Sequence, residues 1–275
     1  MNKFSVLISV YYKENPLYFR EALVSLMNQT VMPNEIVLIK DGPLTESLDT
    51  VLNEFVANYT GLFKIIALPI NKGLGNALSI GLLACSNEFV ARMDTDDICF
   101  FNRFEKQLNF LKNNPAIDLV GSNVEEFNNF PGDLKRFRKM PEKDKELLRY
   151  AKYRSPVNHP SIMFRKQKVL EAGNYNSDIL MMEDFSLFIR MLNKGCVFYN
   201  IQEVLLNFRV GLGLEVIKRR SGLLYFNNEW KFAKLALKIG HLNFLEWLFY
   251  IVFKLPLRLM PPKIIEFVYN TFLRQ

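Results

Sequence analysis

Residues 4–27, FSVLISVYYKENPLYFREALVSLM, decide how this chain folds. The first part, Phe4 to Tyr12, is almost continuously apolar and rich in β-branched and aromatic residues. A strand buried on both faces of a parallel sheet reads this way, because neither face meets water. Asn15-Pro16 then marks a helix start: Asn caps free amides and Pro suits the first turn. Phe19, Ala22, Leu23 and Leu26 follow at helical spacing. The same unit recurs along the chain. EIVLIK (35–40) ends at the turn signal Asp41-Gly42-Pro43, and Leu48, Val51, Leu52 and Phe55 mark the next helix. FKIIAL (63–68) runs into PINKGLGNALSIGLLACS (69–86), a Gly-rich turn opening a helix. EFVARM (88–93) ends in three carboxylates, Asp94, Asp96 and Asp97. Four alternations predict a three-layer α/β/α domain with a mostly parallel central sheet. Such sheets bind ligands beyond the carboxyl ends of their strands, where Tyr11, Asp41 and the acidic cluster fall.

Beyond residue 115 the alternation weakens. AIDLVGSNV (116–124) reads as a strand, and 128–146, polar, basic and broken by Pro and Gly, as a long loop. HPSIMFRKQKVLEAG (159–173) reads as a strand and a short helix ending at Gly173. In MEDFSLFIRMLNKG (182–195), Phe185, Phe188, Ile189 and Leu192 keep helical spacing, Gly195 stops the helix, and Glu183 and Asp184 occupy its first turn. The expected organisation is one α/β domain over 1–210, split at 115/116, followed by a basic amphipathic helical region over 211–275 that either lies on anionic lipid or packs on the α/β core.

The net charge of +7 is concentrated at one end: residues 200–275 hold 11 Lys and Arg against 5 Asp and Glu. That bias points to an anionic partner such as a membrane surface, nucleic acid or a phosphorylated ligand. No recognisable nucleic-acid motif accompanies it, so no nucleic-acid partner is expected. No apolar run approaches the roughly eighteen residues of a spanning helix. The start, MNKFSVLISVYY, is too short and too β-like for a signal peptide, so a cytoplasmic location is expected. Cys85, Cys99 and Cys196 form no C-x-x-C pair and read as buried free thiols.

Asp94 and Asp96 would share a strand face about 7 Å apart along the chain. Hard carboxylates facing one way suit Mg²⁺ or Mn²⁺ carrying a diphosphate, though Asp97 or a neighbour could simply cap the helix near Phe101. NKGLGNALSIG has Gly73 and Gly75, but Leu78 stands at the third glycine position of G-x-G-x-x-G and the segment lacks a P-loop. It reads either as a tight turn or as a backbone approach to a nucleotide. His159 is either structural or a metal or phosphate contact. Asp184 either favours a helix N-terminus or serves as a general base. Arg209, Arg219 and Arg220 are either surface charges or phosphate contacts.

Six segments, in order, resemble the family 2 inverting glycosyltransferases, which have the GT-A fold: VLISVYYKENPLYFREALVSLMNQT, EIVLIKDGP, NKGLGNALSIGL, VARMDTDDI, NHPSIMFRK and MEDFSLFIRM. The similarity covers roughly residues 4–210 and points to bacterial O-antigen and exopolysaccharide enzymes. It implies that Tyr11, near Ser9, flanks the uracil of a UDP-sugar and that Asp41 bonds its edge. It implies that Gly73 and Arg92 lie near the nucleotide, Asp94 near ribose and metal, and Asp96 on the metal. Asp184, after Glu183, would be the base. The acceptor would be a polyprenyl-diphosphate-linked saccharide, and the protein peripheral on the cytoplasmic face of the inner membrane. Lys40 stands where the family usually has an acid, and the Q-x-x-R-W motif of processive synthases is absent, so a single addition is expected. A polyprenyl-phosphate sugar synthase and a non-catalytic nucleotide-binding module are the alternatives.

Overall fold

The structure is a computed structural model that describes residues 3–211 and 221–261. Strand β1 (Phe4–Val10) pairs in parallel with β2 (Glu35–Lys40) and β4 (Phe89–Met93), and β2 with β3 (Phe63–Ala67). The helices α1 (Pro16–Met27), α2 (Glu46–Asn58) and α3 (Leu74–Ala84) connect them. Alternation along β1 builds the layers. Phe4, Val6, Ile8 and Val10 pack with Phe19 and Leu23 of α1, Leu48 and Phe55 of α2, and Phe104 and Leu108 of α4 (Arg103–Asn113). Leu7 faces the opposite side, with Ala77, Leu78 and Leu82 of α3 and Leu187 and Phe188 of α7 (Glu183–Asn193). The sequence expectation of helices on both faces of a buried sheet therefore holds.

Past β4 the sheet becomes mixed. β8 (Met163–Arg165) pairs antiparallel with both β4 and β6 (Leu119–Phe127), while β6 runs parallel to β9 (Phe198–Arg209). β5 (Ile98–Cys99), just after the acidic cluster, pairs antiparallel with the end of β9. One sheet thus crosses both expected halves of the domain. The predicted loop 128–146 is more ordered than its composition suggested. It contains β7 (Arg136–Arg138) and the start of α5 (Asp144–Ala151). Arg136 and Arg138, two apart on one strand face, both bind the buried Glu126 of β6. A short α6 (Lys166–Glu171) follows β8. Cys85 and Cys99 are buried free thiols as expected, and Cys196 is half-buried.

The C-terminal helices α8 (Leu223–Lys238) and α9 (Phe244–Phe249) form a further layer, and the helical path continues through Tyr250–Lys254 and Leu255–Leu259. A capping box between Asn243 and Glu246 starts α9. Phe232, Ala236, Leu242 and Tyr250 pack against Ile179, Met182, Phe185 and Ile189, so this layer rests on α7. The fully buried Glu229 accepts hydrogen bonds from the Tyr250 hydroxyl at 2.8 Å and Arg258 Nε at 2.6 Å, with Lys254 Nζ 3.2 Å away. No described helix is long and apolar enough to cross a membrane.

Candidate active site

The acidic cluster forms where β4 ends. One carboxylate oxygen each from Asp94, Asp96 and Asp97 lies within 4.8 Å of the others. Like charges at that spacing resist joint ionisation, and burial adds to the penalty. Burial, then Asp94, pushes Asp96 up to about 6, and burial, then Asp96, holds Asp97 well above the usual carboxylate range. Asp97 Oδ1 accepts the Arg209 backbone N–H at 2.8 Å, while its buried Oδ2 has no hydrogen-bond partner among the described residues.

Two arginines organise this loop from behind. Arg92, on β4, is 1% exposed and forms an ion pair with Asp94. Its Nε and Nη1 have no hydrogen-bond partner among the described residues. Arg92 therefore underlies the cluster and offers no solvent-facing surface to a nucleotide. Arg209, at the end of β9, donates through Nε to the Asp96 carbonyl at 2.9 Å and through Nη1 to the Asn128 carbonyl at 2.9 Å. Its Nη2 reaches Glu21 Oε2 at 2.5 Å, and its guanidinium stacks 3.8 Å over Tyr18. Those contacts make Arg209 a clamp on the acidic loop, in place of the phosphate contact that its charge suggested. Arg219 and Arg220 lie outside the described residues.

At the end of β2, Asp41 is buried and both its oxygens accept amides of the Gly-rich turn: Oδ1 from Lys72 N at 2.9 Å, Oδ2 from Gly73 N at 3.0 Å. Asp41 thus fixes the turn beside the expected donor pocket. Gly42 must be glycine here: φ is +86° and a Cβ would stand 2.7 Å from Asn71 N. Lys40 pairs with Asp49 at 2.6 Å, which accounts locally for a cation in a position that the family gives to an acid. Ser9 and Tyr11 lie half-buried at the end of β1, with the Tyr11 ring edge-on to Tyr12 at 5.8 Å.

The Glu183-Asp184 pair opens α7 and faces the start of α3. A Cβ on Gly75 would lie 2.5 Å from the Asn176 carbonyl oxygen and 3.1 Å from Glu183 Cβ, so only a glycine permits this approach. Burial, then Asp184, pushes Glu183 up to about 7. Asp184 is half-buried and its Oδ1 accepts the Phe185 N–H at 2.7 Å. Asn76 Nδ2, Asn176 Oδ1, Ser177 Oγ and Glu183 Oε2, all buried, have no hydrogen-bond partner among the described residues. Unmatched buried polar atoms in neighbouring segments mark a place where a polar ligand would repay their desolvation. Tyr175 joins this wall to the acidic cluster. Burial raises its phenol, and Asp184, Asp94 and Glu183 all raise it further. His159 is buried against Tyr175 and Phe188, with Nε2 3.0 Å from the Tyr175 hydroxyl. Burial, then Arg92, holds it well below its usual range, which favours the neutral ring, packed here against Tyr175 and Phe188.

Residue types alone did not single out Glu14 or Arg103. Glu14, in the turn after β1, is pushed up to about 7 by burial, then Asp96, then Asp94, and so forms part of the same acidic wall. Its signal was its place: a carboxylate just beyond the carboxyl end of a central strand. Arg103 is fully buried in α4 and donates to the Arg92 carbonyl at 2.7 Å and the Ile162 carbonyl at 3.3 Å, bracing β4 from below.

The chain is 37% identical over 269 residues to the amylovoran biosynthesis glycosyltransferase AmsE of Erwinia amylovora, covering 97% of this chain and 98% of that protein. It is 36% identical over 273 residues to an Escherichia coli UDP-Gal:alpha-D-GlcNAc-diphosphoundecaprenol beta-1,3-galactosyltransferase, covering 99% and 97% respectively. The fold matches the crystal structure of S. aureus TarS 1-349 in complex with UDP-GlcNAc with a TM-score of 0.66 at 18% identity, over 86% of this chain and 66% of that one, which supports the expected GT-A architecture. The profile described as Glycosyl transferase family 2 matches residues 5–173, and with these relatives it shows that the chain belongs to glycosyltransferase family 2.

Proposed function

We propose that the protein transfers one sugar from a UDP-sugar to a hydroxyl of a polyprenyl-diphosphate-linked saccharide, with inversion, in bacterial surface polysaccharide assembly. The observation that carries this reading is that two carboxylate sets act on one buried tyrosine. Asp94, in the cluster that ends β4, and Glu183 and Asp184, which open α7, all raise the Tyr175 phenol. The Escherichia coli relative, a UDP-Gal:alpha-D-GlcNAc-diphosphoundecaprenol galactosyltransferase, supports a nucleotide-sugar donor and a lipid-linked acceptor, and the TarS complex with UDP-GlcNAc supports the donor.

On this reading Tyr11, Ser9 and Asp41 hold the uridine side, with Asp41 acting through the turn at Gly73. The half-buried Asp94 and Asp96 and the unmatched Asp97 oxygen form a hard-oxygen set that fits a divalent cation such as Mn²⁺ or Mg²⁺. Such an ion, when bound, neutralises the leaving diphosphate. Asp184 takes the proton of the acceptor hydroxyl as its oxygen bonds to C1 and the bond from C1 to the diphosphate oxygen breaks. One displacement turns an α-linked donor into a β-linked product. Glu183, half-buried and pushed up to about 7 by burial and then Asp184, offers a hydrogen bond in the same pocket when protonated. The protein works as a peripheral protein at the cytoplasmic face of the inner membrane.

The test combines donor binding with turnover. UDP-sugars are screened for protection from thermal unfolding with Mn²⁺ and with chelator, and Asp184→Asn is assayed beside the wild type. Protection that needs the ion, with turnover of Asp184→Asn reduced ~10²–10⁴-fold and donor binding kept, is the expected result. Turnover within a few-fold of wild type would remove Asp184 from the role of base, and full activity under chelation would remove the ion.

A further inference from the structure

We propose that the outward face of the C-terminal helical layer docks on an anionic lipid bilayer; this deepens the membrane reading above by assigning its surface. Phe244, Leu245, Leu248, Phe249, Val252 and Phe253 recur at helical intervals along one side of the path from α9 onward. All are exposed, from 42% at Leu248 to 74% at Leu245. The opposite side has already met the core through Tyr250 and Leu255. A helix apolar on both sides, with only one side buried by folding, leaves a surface that water does not favour.

Charge identifies what covers it. Lys231, Lys234 and Lys238 form an exposed stripe along α8, and none has an ion pair among the described residues. The acids of the layer are already matched: Glu229 is buried with Arg258 and Lys254, and Glu246 pairs with Lys152. The outward charge is therefore positive. Aromatic residues join the stripe to the apolar side. Lys234 Nζ lies 5.2 Å over the Trp230 ring, and Trp230 contacts Trp247, the neighbour of Phe244, at 6.1 Å and 6.0 Å in turn. Aliphatic and aromatic groups beside tryptophan and lysine fit acyl chains, interface and anionic headgroups.

The face also has a defined relation to the site. Phe232 of α8 stacks on Phe185 at 4.4 Å, and Asn228 accepts the Leu180 N–H at 3.1 Å. The docking layer thus braces the segment that carries Glu183 and Asp184, and holds it near a bilayer that would present a lipid-linked acceptor.

Flotation of the full chain with vesicles of phosphatidylcholine, with and without about one-third phosphatidylglycerol, tests the proposal. The protein is expected to float with the anionic vesicles and to be released at high salt. Lys231→Gln/Lys234→Gln/Lys238→Gln should lower partitioning on the order of a hundredfold, at roughly fivefold per lysine. Leu245→Glu/Phe249→Glu/Phe253→Glu should abolish it. Both should keep wild-type circular dichroism and urea midpoints, since every changed side chain is exposed. The proposal is overturned if the wild type stays unbound with anionic vesicles, if both variants float like wild type, or if the face instead closes a stable dimer that the triple Glu variant separates. A soluble short-chain acceptor keeps this separate from the functional reading. Transfer intact without flotation sinks the docking face alone; flotation without any transfer sinks the proposed reaction alone.

Discussion

Arg92→Met removes a guanidinium that is 1% exposed and paired with Asp94. Two effects oppose one another. Among the described residues Nε and Nη1 lack hydrogen-bond partners, so their removal relieves a desolvation cost. Against that, Arg92 lowers the protonation tendency of Glu14, Asp96, Asp97 and Glu183, and the variant loses this favourable field. One charge pair at about 5 Å is worth about 3 kcal/mol at an effective dielectric of about 20, and partial exposure of the carboxylates cuts that by roughly half. The balance depends on pH. Glu14 and Glu183 stand at about 7, against 4.5 ordinarily. The folded chain therefore keeps protons that the unfolded chain has lost, and stability falls as pH rises across that window. Without Arg92 the folded values rise further, and the loss continues above neutral pH. Arg92→Met should lie within about 1 kcal/mol of wild type near pH 5 and be destabilised by about 2–4 kcal/mol near pH 8. Urea unfolding followed by circular dichroism, in chelator at both pH values, measures this. Equal differences at the two pH values, or a more stable variant near pH 8, would refute the electrostatic role of Arg92.

Gly75→Ala sets a Cβ 2.5 Å from the Asn176 carbonyl oxygen. It should cost about 1–3 kcal/mol in urea unfolding and weaken donor protection by displacing Glu183; unchanged values would mean that the α3–α7 junction is loose. Glu229→Gln keeps the shape but leaves Arg258 and Lys254 without their counter-charge. A loss of about 2–4 kcal/mol is expected, and less than 1 kcal/mol would show that packing alone holds the C-terminal layer.

Much of this was legible in the sequence, for identifiable reasons. β1, β2 and β4 are buried on both faces, so their apolar runs are continuous and their ends sharp. Asp41 and the acidic cluster follow because a strand end next to a polar run marks the sheet edge. β7 was hidden: its stability comes from Glu126, distant in sequence, and the local composition of 128–146 resembles a loop. The long β9 was not picked out either, because its pattern is interrupted by polar residues at a register shift opposite Ser122 and Asn123. Arg92 through the family resemblance, Arg209 through its charge and His159 through its residue type suggested ligand contacts. Their burial and partners are tertiary facts: Arg92 and Arg209 underlie the acidic loop, and His159 packs against Tyr175 and Phe188. Glu14 shows the converse, an ordinary turn residue in sequence that the fold brings against Asp94 and Asp96.

The central claim is tested most directly by the anomeric configuration of the product. The protein is given α-linked UDP-sugars, Mn²⁺ and a synthetic polyprenyl-diphosphate saccharide, and the isolated product is examined by nuclear magnetic resonance. A single added sugar in β-linkage is predicted. An α-linked product, or no transfer from any UDP-sugar to this acceptor, would contradict it.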